Sequence, residues 1–316
     1  MCTAISYNSK DNYFGRNLDL ERSYGESVVV MPRNYPFPMR TMPTLVRHYA
    51  MVGMATVVGD MPLYYEATNE KGLSMAGLNF PDNAHYESYN ENKDNVAPFE
   101  FIPYILGNCK DVFEAEELLS RMNLVNINFS DKLPLSPLHW IISDKEKSIT
   151  VESVKDGLKI YDNPYGVLTN NPAFGYHLMN INNYMGLYEG FAENRMSKEK
   201  SFDNYSLGMG ALGLPGDYSS ASRFVRAAFI KEKSPCFESE TESVSHFFHI
   251  LSGVAMPKGC VLTKSGEYEY TRYSSCCNAD KGVYYYTTYD NCSITAVDMH
   301  SVDLDGEEIC AFPVAD

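Results

Sequence analysis

The sequence is short of positive charge. It carries 26 lysines and arginines against 41 aspartates and glutamates, a formal net charge of −15 at pH 7. A field of that sign repels polyanions, which excludes nucleic acid and anionic membrane surfaces as partners. Long hydrophobic runs are missing too. The longest nearly uncharged apolar stretch, Ala50 to Gly59, is far too short to cross a bilayer. The chain opens Met-Cys-Thr without the basic start and apolar core of an export signal, so a cytoplasmic protein is expected. There is no C-x-x-C pair, and the eight cysteines (2, 109, 236, 260, 276, 277, 292 and 310) are scattered along a chain too large to need a disulfide framework. Only His246 and His249 approach ligand spacing, in a run that reads as a packed helix, so no metal site is expected. Most of the thiols read as reduced, buried small hydrophobes. One stands in an unusual place.

What remains is a globular composition, 44% hydrophobic and 21% charged over 316 residues, enough for a large core. No repeat, low-complexity tract or linker interrupts it, which predicts a single domain over 1–316. Cys2 to Tyr7 and Tyr13 to Leu18 read as strands joined by the polar, turn-forming Asn8 to Asn12, a hairpin pattern. Asp111-Val-Phe-Glu114 is a capping box ahead of an apolar stripe at Val112, Ala115, Leu118, Leu119 and Met122. Strands return at Leu138–Ile142, Ser148–Val154 and Leu158–Tyr161, the last two joined by Asp156-Gly157. Ser219 or Ser220 caps a helix through Phe224 and Phe229, and Ser239-x-x-Glu242 opens another that ends near Gly253. Strands over Glu269–Ser275, Val283–Tyr289 and Ser293–Asp298 close the chain. This order predicts an α+β fold with antiparallel hairpins, a four-layer αββα sandwich of two sheets between helical layers. The 24 tyrosines suit half-buried sheets better than a surface for stacking bases.

An initiator methionine ahead of a small residue is commonly removed. Loss of Met1 would place a thiol and a free α-amine together on Cys2, with reference pKa values of about 8.5 and about 7.7–8.0. The amine is then a built-in base for the thiol. If Tyr7 opposes Tyr13, position i faces 20 − i, so Cys2, Ala4, Arg16 and Leu18 share one side of the hairpin. Arg16 becomes a diagonal neighbour that favours the thiolate and the neutral amine. Asp19 should face away, and a bulge or strand end within Asn17–Asp19 is needed to turn it back. The alternative for Arg16 and Asp19 is an ordinary ion pair at a strand end. Amide hydrolysis also needs oxyanion donors. Asn79 and Asn170 each end an apolar run stopped by proline, where they serve either as such donors or as plain turn residues. Arg223 lies in the first turn of its helix, where a cation is disfavoured. It is either engaged by a carboxylate or anionic substrate, or solvated.

Taken together, Met1-Cys-Thr3, Phe14-Gly-Arg-Asn-Leu-Asp19, Asn69-Glu-Lys-Gly-Leu73, Ala76-Gly-Leu-Asn-Phe-Pro81, Leu138-His-Trp140, Val167-Leu-Thr-Asn170, Gly213-Leu-Pro-Gly-Asp217 and Ser222-Arg-Phe224 resemble the choloylglycine hydrolase family of N-terminal nucleophile amidases, and within it the bile salt hydrolase branch. The resemblance implies the αββα fold and hydrolysis of the amide joining a bile-acid carboxyl to glycine or taurine. It implies Cys2 as nucleophile and base, Arg16 and Asp19 to tune and hold it, the Asn79 N–H and Asn170 side chain as oxyanion donors, and Arg223 completing the polar shell. It further implies conjugated bile acids as substrates, no metal or other cofactor, and a homotetramer. Leu20, Met61, Tyr65, Phe99, Leu133 and Leu135 are candidates to line an apolar steroid cleft, with core packing as the alternative for each. Penicillin V acylase is the nearest rival, and Asn79, where that branch often has tyrosine, favours bile salts. Leu207 stands where some relatives carry an arginine, which implies that glycine conjugates are handled at least as well as taurine ones.

Overall fold

A computed structural model describes residues 1–314 of the chain. Strands β1 (Cys2–Asn8) and β2 (Asn12–Leu20) form the opening hairpin. Tyr7 opposes Tyr13, Ala4 opposes Arg16 and Cys2 opposes Leu18, the register expected from the turn. A meander of β3 (Glu26–Met31), β4 (Met51–Val58), β5 (Met61–Asn69) and β6 (Ser74–Asn79) follows. Next come the short β7 (Asp94–Val96), helices α1 (Phe101–Asn108) and α2 (Val112–Ser120), and β8 (Met122–Leu124). Strands β9 (Leu138–Ser143), β10 (Ser148–Val154), β11 (Gly157–Asp162) and β12 (Val167–Leu168) lead to α3 (Phe174–Asn180), α4 (Ser220–Glu232) and α5 (Glu240–Ser252). The last strands are β13 (Tyr270–Asn278), β14 (Val283–Thr288), β15 (Thr295–Asp298) and β16 (Cys310–Pro313).

Two antiparallel sheets lie face to face. One has the order β12-β1-β2-β13-β14-β15, the other β11-β10-β9-β6-β5-β4-β3-β16. Helices α4 and α5 cover the first, α1 and α2 the second, which makes the αββα sandwich. A small parallel pair, β7 with β8, stands outside both sheets and was not expected from the element order. Inner-facing Ala4, Val28, Val52, Met54, Leu78 and Ile141 pack between the sheets. The other core joins the outer face of the larger sheet, through Met75, Trp140 and Ile142, to Phe101, Ile105 and Leu119 of the helices. No helix among the described residues is long and apolar enough to cross a membrane.

Caps mark the helix starts: Asp111, Ser219 and Ser239 each accept a hydrogen bond from the N–H three residues on. Met122 departs from the expected helical stripe. The helix ends at Ser120, Arg121 caps it, and Met122 opens β8. The irregularity expected within Asn17–Asp19 lies instead on the facing strand. Thr271 pairs with Asp19 and Tyr273 with Leu18, leaving Arg272 as the extra residue of β13. The reason is topological. β13, like β2, lies between two strands, but its ladder with β14 ends at Tyr273–Thr288, so the extra Arg272 disturbs only the pairing with β2, whereas β2 is still bonded on its other side at Asp19.

Candidate active site

Cys2 begins β1 and is buried, 3% exposed. Its N–H donates to Asn170 Oδ1 at 2.8 Å. Met1 precedes it and continues the ladder: the Asp19 N–H donates to the Met1 carbonyl at 3.0 Å, and the Met1 amine donates to the Asp19 carbonyl at 2.9 Å. The same amine pairs with Glu269. Burial lowers the pKa of this amine, the Cys2 and Asp19 charges oppose that effect, and Arg223 and Arg16 add to it.

Arg16 reaches across the inter-sheet space from β2. Its Nη1 donates to the Gly77 carbonyl at 2.6 Å and the Tyr65 carbonyl at 3.1 Å, and lies 3.7 Å from Glu66. Its Nε and Nη2 are buried with no hydrogen-bond partner among the described residues. Burial works against this cation, but Cys2, Tyr273 and Glu66 outweigh it and the pKa ends raised. Glu66 was not singled out by the sequence reading. It is buried in β5 and accepts from Tyr273 Oη at 2.8 Å, Ser275 Oγ at 3.0 Å and Tyr284 Oη at 2.5 Å. Desolvation raises its pKa while Arg16 and the three hydroxyls pull it down. A lone acid inside the apolar run Met61–Ala67 was the available signal.

Asp19 is fully buried. Its Oδ1 accepts from Thr271 Oγ1 at 2.6 Å, and its Oδ2 has no hydrogen-bond partner among the described residues. Arg223 is equally buried, which rules out the solvated alternative. Its Nη1 donates to the Cys2 carbonyl at 2.5 Å and Thr3 Oγ1 at 2.6 Å, Nη2 to Asn170 Oδ1 at 2.8 Å, and Nε to the Tyr218 carbonyl at 3.1 Å. Burial lowers its pKa and the Asp19 and Cys2 charges oppose this. Carbonyl, amide and hydroxyl oxygens, rather than a directly bonded carboxylate, therefore engage it.

The two asparagines meet. Asn170 Nδ2 donates to the Asn79 carbonyl at 2.7 Å. Because the next N–H along β6, that of Phe80, donates to Pro137, the N–H and C=O of Asn79 both point the opposite way, toward Asn170. Asn79's own side chain is exposed, while Asn170 is buried, so the turn reading fails for Asn170. The other five predicted residues thus gather around Cys2, Asn79 by way of Asn170.

The lining candidates divide. Leu20 and Tyr65 pack against the inter-sheet core that contains Cys2. Met61 and Phe99 belong to the cluster on the far face of the larger sheet. Met61 and Tyr65 part ways because the β4–β5 register slips between them, with Met54 opposite Glu66 and Ala55 opposite Tyr64, which leaves Tyr65 as an extra residue. Leu133 and Leu135 are half-buried in the loop before β9. Two surface grooves of about 660 and 440 Å³ do not include Cys2 in their lining.

A sandwich of this topology with a cysteine at the head of its first strand defines an amidase of the N-terminal nucleophile type. The family model described as linear amide C–N hydrolases, choloylglycine hydrolase family, matches residues 2–312, and the chain belongs to that family. It is 54% identical over 314 residues to a bile salt hydrolase/transferase of Lactiplantibacillus plantarum, covering 99% of this chain and 97% of that one. It is 40% identical to a bile salt hydrolase/transferase of Clostridium perfringens, covering 98% and 95% of the two chains. The crystal structure of a C2A mutant of conjugated bile acid hydrolase from Clostridium perfringens superposes with a TM-score of 0.92 at 38% identity, covering 100% of this chain and 97% of that one. Penicillin V acylase from Agrobacterium tumefaciens shares the fold, with a TM-score of 0.77 at 21% identity over 98% and 90% of the two chains.

Proposed function

We propose that this chain hydrolyses the amide bond of glycine- or taurine-conjugated bile acids, with Cys2 as the nucleophile. The observation that carries this is the enclosure of Cys2 by Asn170, Arg16 and Arg223, in a chain whose relatives of 40–54% identity are named for that reaction.

Removal of Met1 turns the Cys2 nitrogen from an amide, which has no basic lone pair, into an amine. Asn170 Oδ1 holds one of its hydrogens, and the unpartnered Asp19 Oδ2 is the acceptor for another. The amine takes the thiol proton as Sγ bonds to the substrate carbonyl carbon, and the carbonyl pair moves onto oxygen. The Asn79 N–H and the second Asn170 Nδ2 hydrogen stabilise that oxyanion. The unpartnered Arg16 donors favour the thiolate. When the intermediate collapses, the C–N bond breaks and the Cys2 ammonium protonates the departing glycine or taurine nitrogen, leaving a thioester. Water, deprotonated by the same amine, adds to the thioester, and the C–S bond breaks to release bile acid and restore Sγ. Arg223 holds Asn170 and the Cys2 carbonyl in place throughout.

The chain works as one domain with no metal or cofactor. Eight unpaired thiols suit the reducing cytoplasm. A homotetramer is supported by the exposed apolar side chains of the segment 179–212, among them Met185, Phe191, Met196 and Phe202. Sedimentation velocity tests the tetramer. Intact mass together with turnover of glycocholate, taurocholate and penicillin V tests the activity. A protein lighter by one methionine residue that cleaves the two bile salts faster than penicillin V is expected, and the reverse preference would refute the substrate class.

A further inference from the structure

His139 takes no part in the chemistry above, yet it lies between the segments that carry Asn79 and Asn170. Its imidazole is fully buried in β9. One face stacks on Phe80, the residue after Asn79, with ring centroids 4.3 Å apart and planes 6° from parallel. Nε2 is 2.9 Å from the carbonyl oxygen of Thr169, the residue before Asn170. Nδ1 is 3.1 Å from Oε1 of Glu152, which is also buried. The same Oε1 accepts the Phe174 N–H at 2.9 Å. The stretch from Thr169 to Phe174 is therefore tied at both ends to one histidine–carboxylate pair, with Asn170 inside it.

Proton counting constrains this pair. A carbonyl oxygen only accepts, so Nε2 must carry a hydrogen. A neutral imidazole then has a bare lone pair at Nδ1, which would face a carboxylate oxygen with no hydrogen between them. Two arrangements avoid this: an imidazolium beside a carboxylate, or a neutral imidazole accepting from a protonated Glu152. In both the pair holds one proton between Nδ1 and Oε1 and is neutral overall, which suits groups with no access to water. His177 of α3 is the other imidazole nearby. Burial first, and then His139, lower its pKa, and its Nε2 holds the Asn170 carbonyl at 3.1 Å.

We propose that His139 and Glu152, joined by one shared proton, are positioning residues that set the spacing between Asn79 and Asn170 and thereby aim the oxyanion donors. The Asn170–Asn79 and Asn171–Pro81 bonds link those segments directly, and the His139 ring, stacked on one segment and bonded to the other, links them through β9. This rests on the proposed amide hydrolysis at Cys2. It goes further by naming residues that touch no reacting atom.

His139→Phe keeps a ring on Phe80 and deletes both nitrogens. Glu152→Ala removes the partner. Glu152→Gln keeps the volume and the neutral charge but only one of the two bonds, because the same Oε1 serves Nδ1 and Phe174 while Oε2 has no partner among the described residues: an amide nitrogen in its place donates to Nδ1 and gives up the Phe174 N–H. The measurements are steady-state kinetics on glycocholate and the rate at which iodoacetamide alkylates Cys2, on variants whose circular dichroism matches the parent. His139→Phe and Glu152→Ala are expected to lower kcat by about 10–100-fold with little change in KM, the size of loss that a misplaced catalytic group produces. Glu152→Gln should lose clearly less than Glu152→Ala, with kcat within about tenfold of the parent, as expected when one of two buried hydrogen bonds is kept and the other lost. Alkylation should keep its parental rate in all three, because thiol and amine are untouched, a pattern that general loosening would not give. An unchanged kcat in folded His139→Phe would overturn the proposal, as would alkylation falling in step with kcat. Equal damage from Glu152→Gln and Glu152→Ala would overturn the shared proton. If His139→Phe does not fold, the two Glu152 variants decide by the same criteria. Failure of the parent protein itself to cleave either bile salt would instead overturn the assigned reaction, and the positioning role with it.

Discussion

Asn170 uses nearly every polar group it owns. Its N–H donates to Ser220 Oγ at 2.8 Å, its carbonyl meets His177, its Oδ1 receives Cys2 and Arg223, and its Nδ2 gives one hydrogen to Asn79. A side chain held this way presents its remaining N–H in a fixed direction, which makes it worth more to a developing oxyanion than a mobile donor. Asn170→Ala should therefore lower kcat by about 10²–10³-fold, the loss usual for one oxyanion donor, as steady-state kinetics on glycocholate would show. Cys2→Ala should abolish turnover while leaving thermal unfolding close to the parent's, and Cys2→Ser should retain a trace at most, since its hydroxyl ionises far less readily. Retained activity in Cys2→Ala would eliminate the thiol. The other buried thiols are poor substitutes: burial pushes Cys109 and Cys277 up to about 12, and Cys276 well above its usual range. At this scale the sequence showed the six site residues but left the roles of Arg16, Asp19, Asn79, Asn170 and Arg223 ambiguous. Spacing along a strand says which way a side chain points, not what comes to meet it from 150 residues away.

The elements explain which parts were legible. β1, β2, β9, β10 and β13 announce themselves by turns at their ends, and α2, α4 and α5 by their caps. β4 and β5 are paired on both sides and largely covered on both faces, so they read as apolar runs without the alternation that marks a half-buried strand. α1 is buried from Phe101 to Gly107, and a helix apolar all round has no stripe to detect. Helix α4 carries a half-buried charge as well as the fully buried Arg223. Lys231 donates to the Tyr165 carbonyl, and burial pulls its pKa from 10.5 down to about 8, with Glu232 opposing. A lysine with a folded pKa below its unfolded value binds fewer protons when folded. Stability therefore rises between pH 8 and 10.5, and the cost is fully present below that window. Lys231→Met should raise the Tm relative to the parent at pH 7, and that advantage should shrink as the pH approaches 10. A pH-independent difference would show that the ammonium is not strained by burial.

On the scale of the whole molecule, the site exists only where the two sheets and α4 converge. Arg16 comes from the smaller sheet and rests on carbonyls of the larger one, while Arg223 enters from the helical layer. The layer order could be read from the succession of elements, but the crossing of Glu66 to Tyr273 and Tyr284 could not, because it joins residues more than 200 positions apart. Leu207 is 83% exposed and offers no charge for a sulfonate. Matched pairs such as glycocholate and taurocholate should thus show kcat/KM for the glycine conjugate at least equal to that for taurine, and a strong taurine preference would refute this.

The most direct measurement compares two preparations of the same chain, one trimmed of Met1 and one made under inhibition of methionine removal, each assigned by intact mass and assayed on glycocholate. Trimmed protein should turn over the substrate and protein retaining Met1 should not, because its Cys2 nitrogen is an amide bound to Asn170 and cannot accept the thiol proton. Equal rates from the two would contradict a base created at Cys2 by loss of Met1.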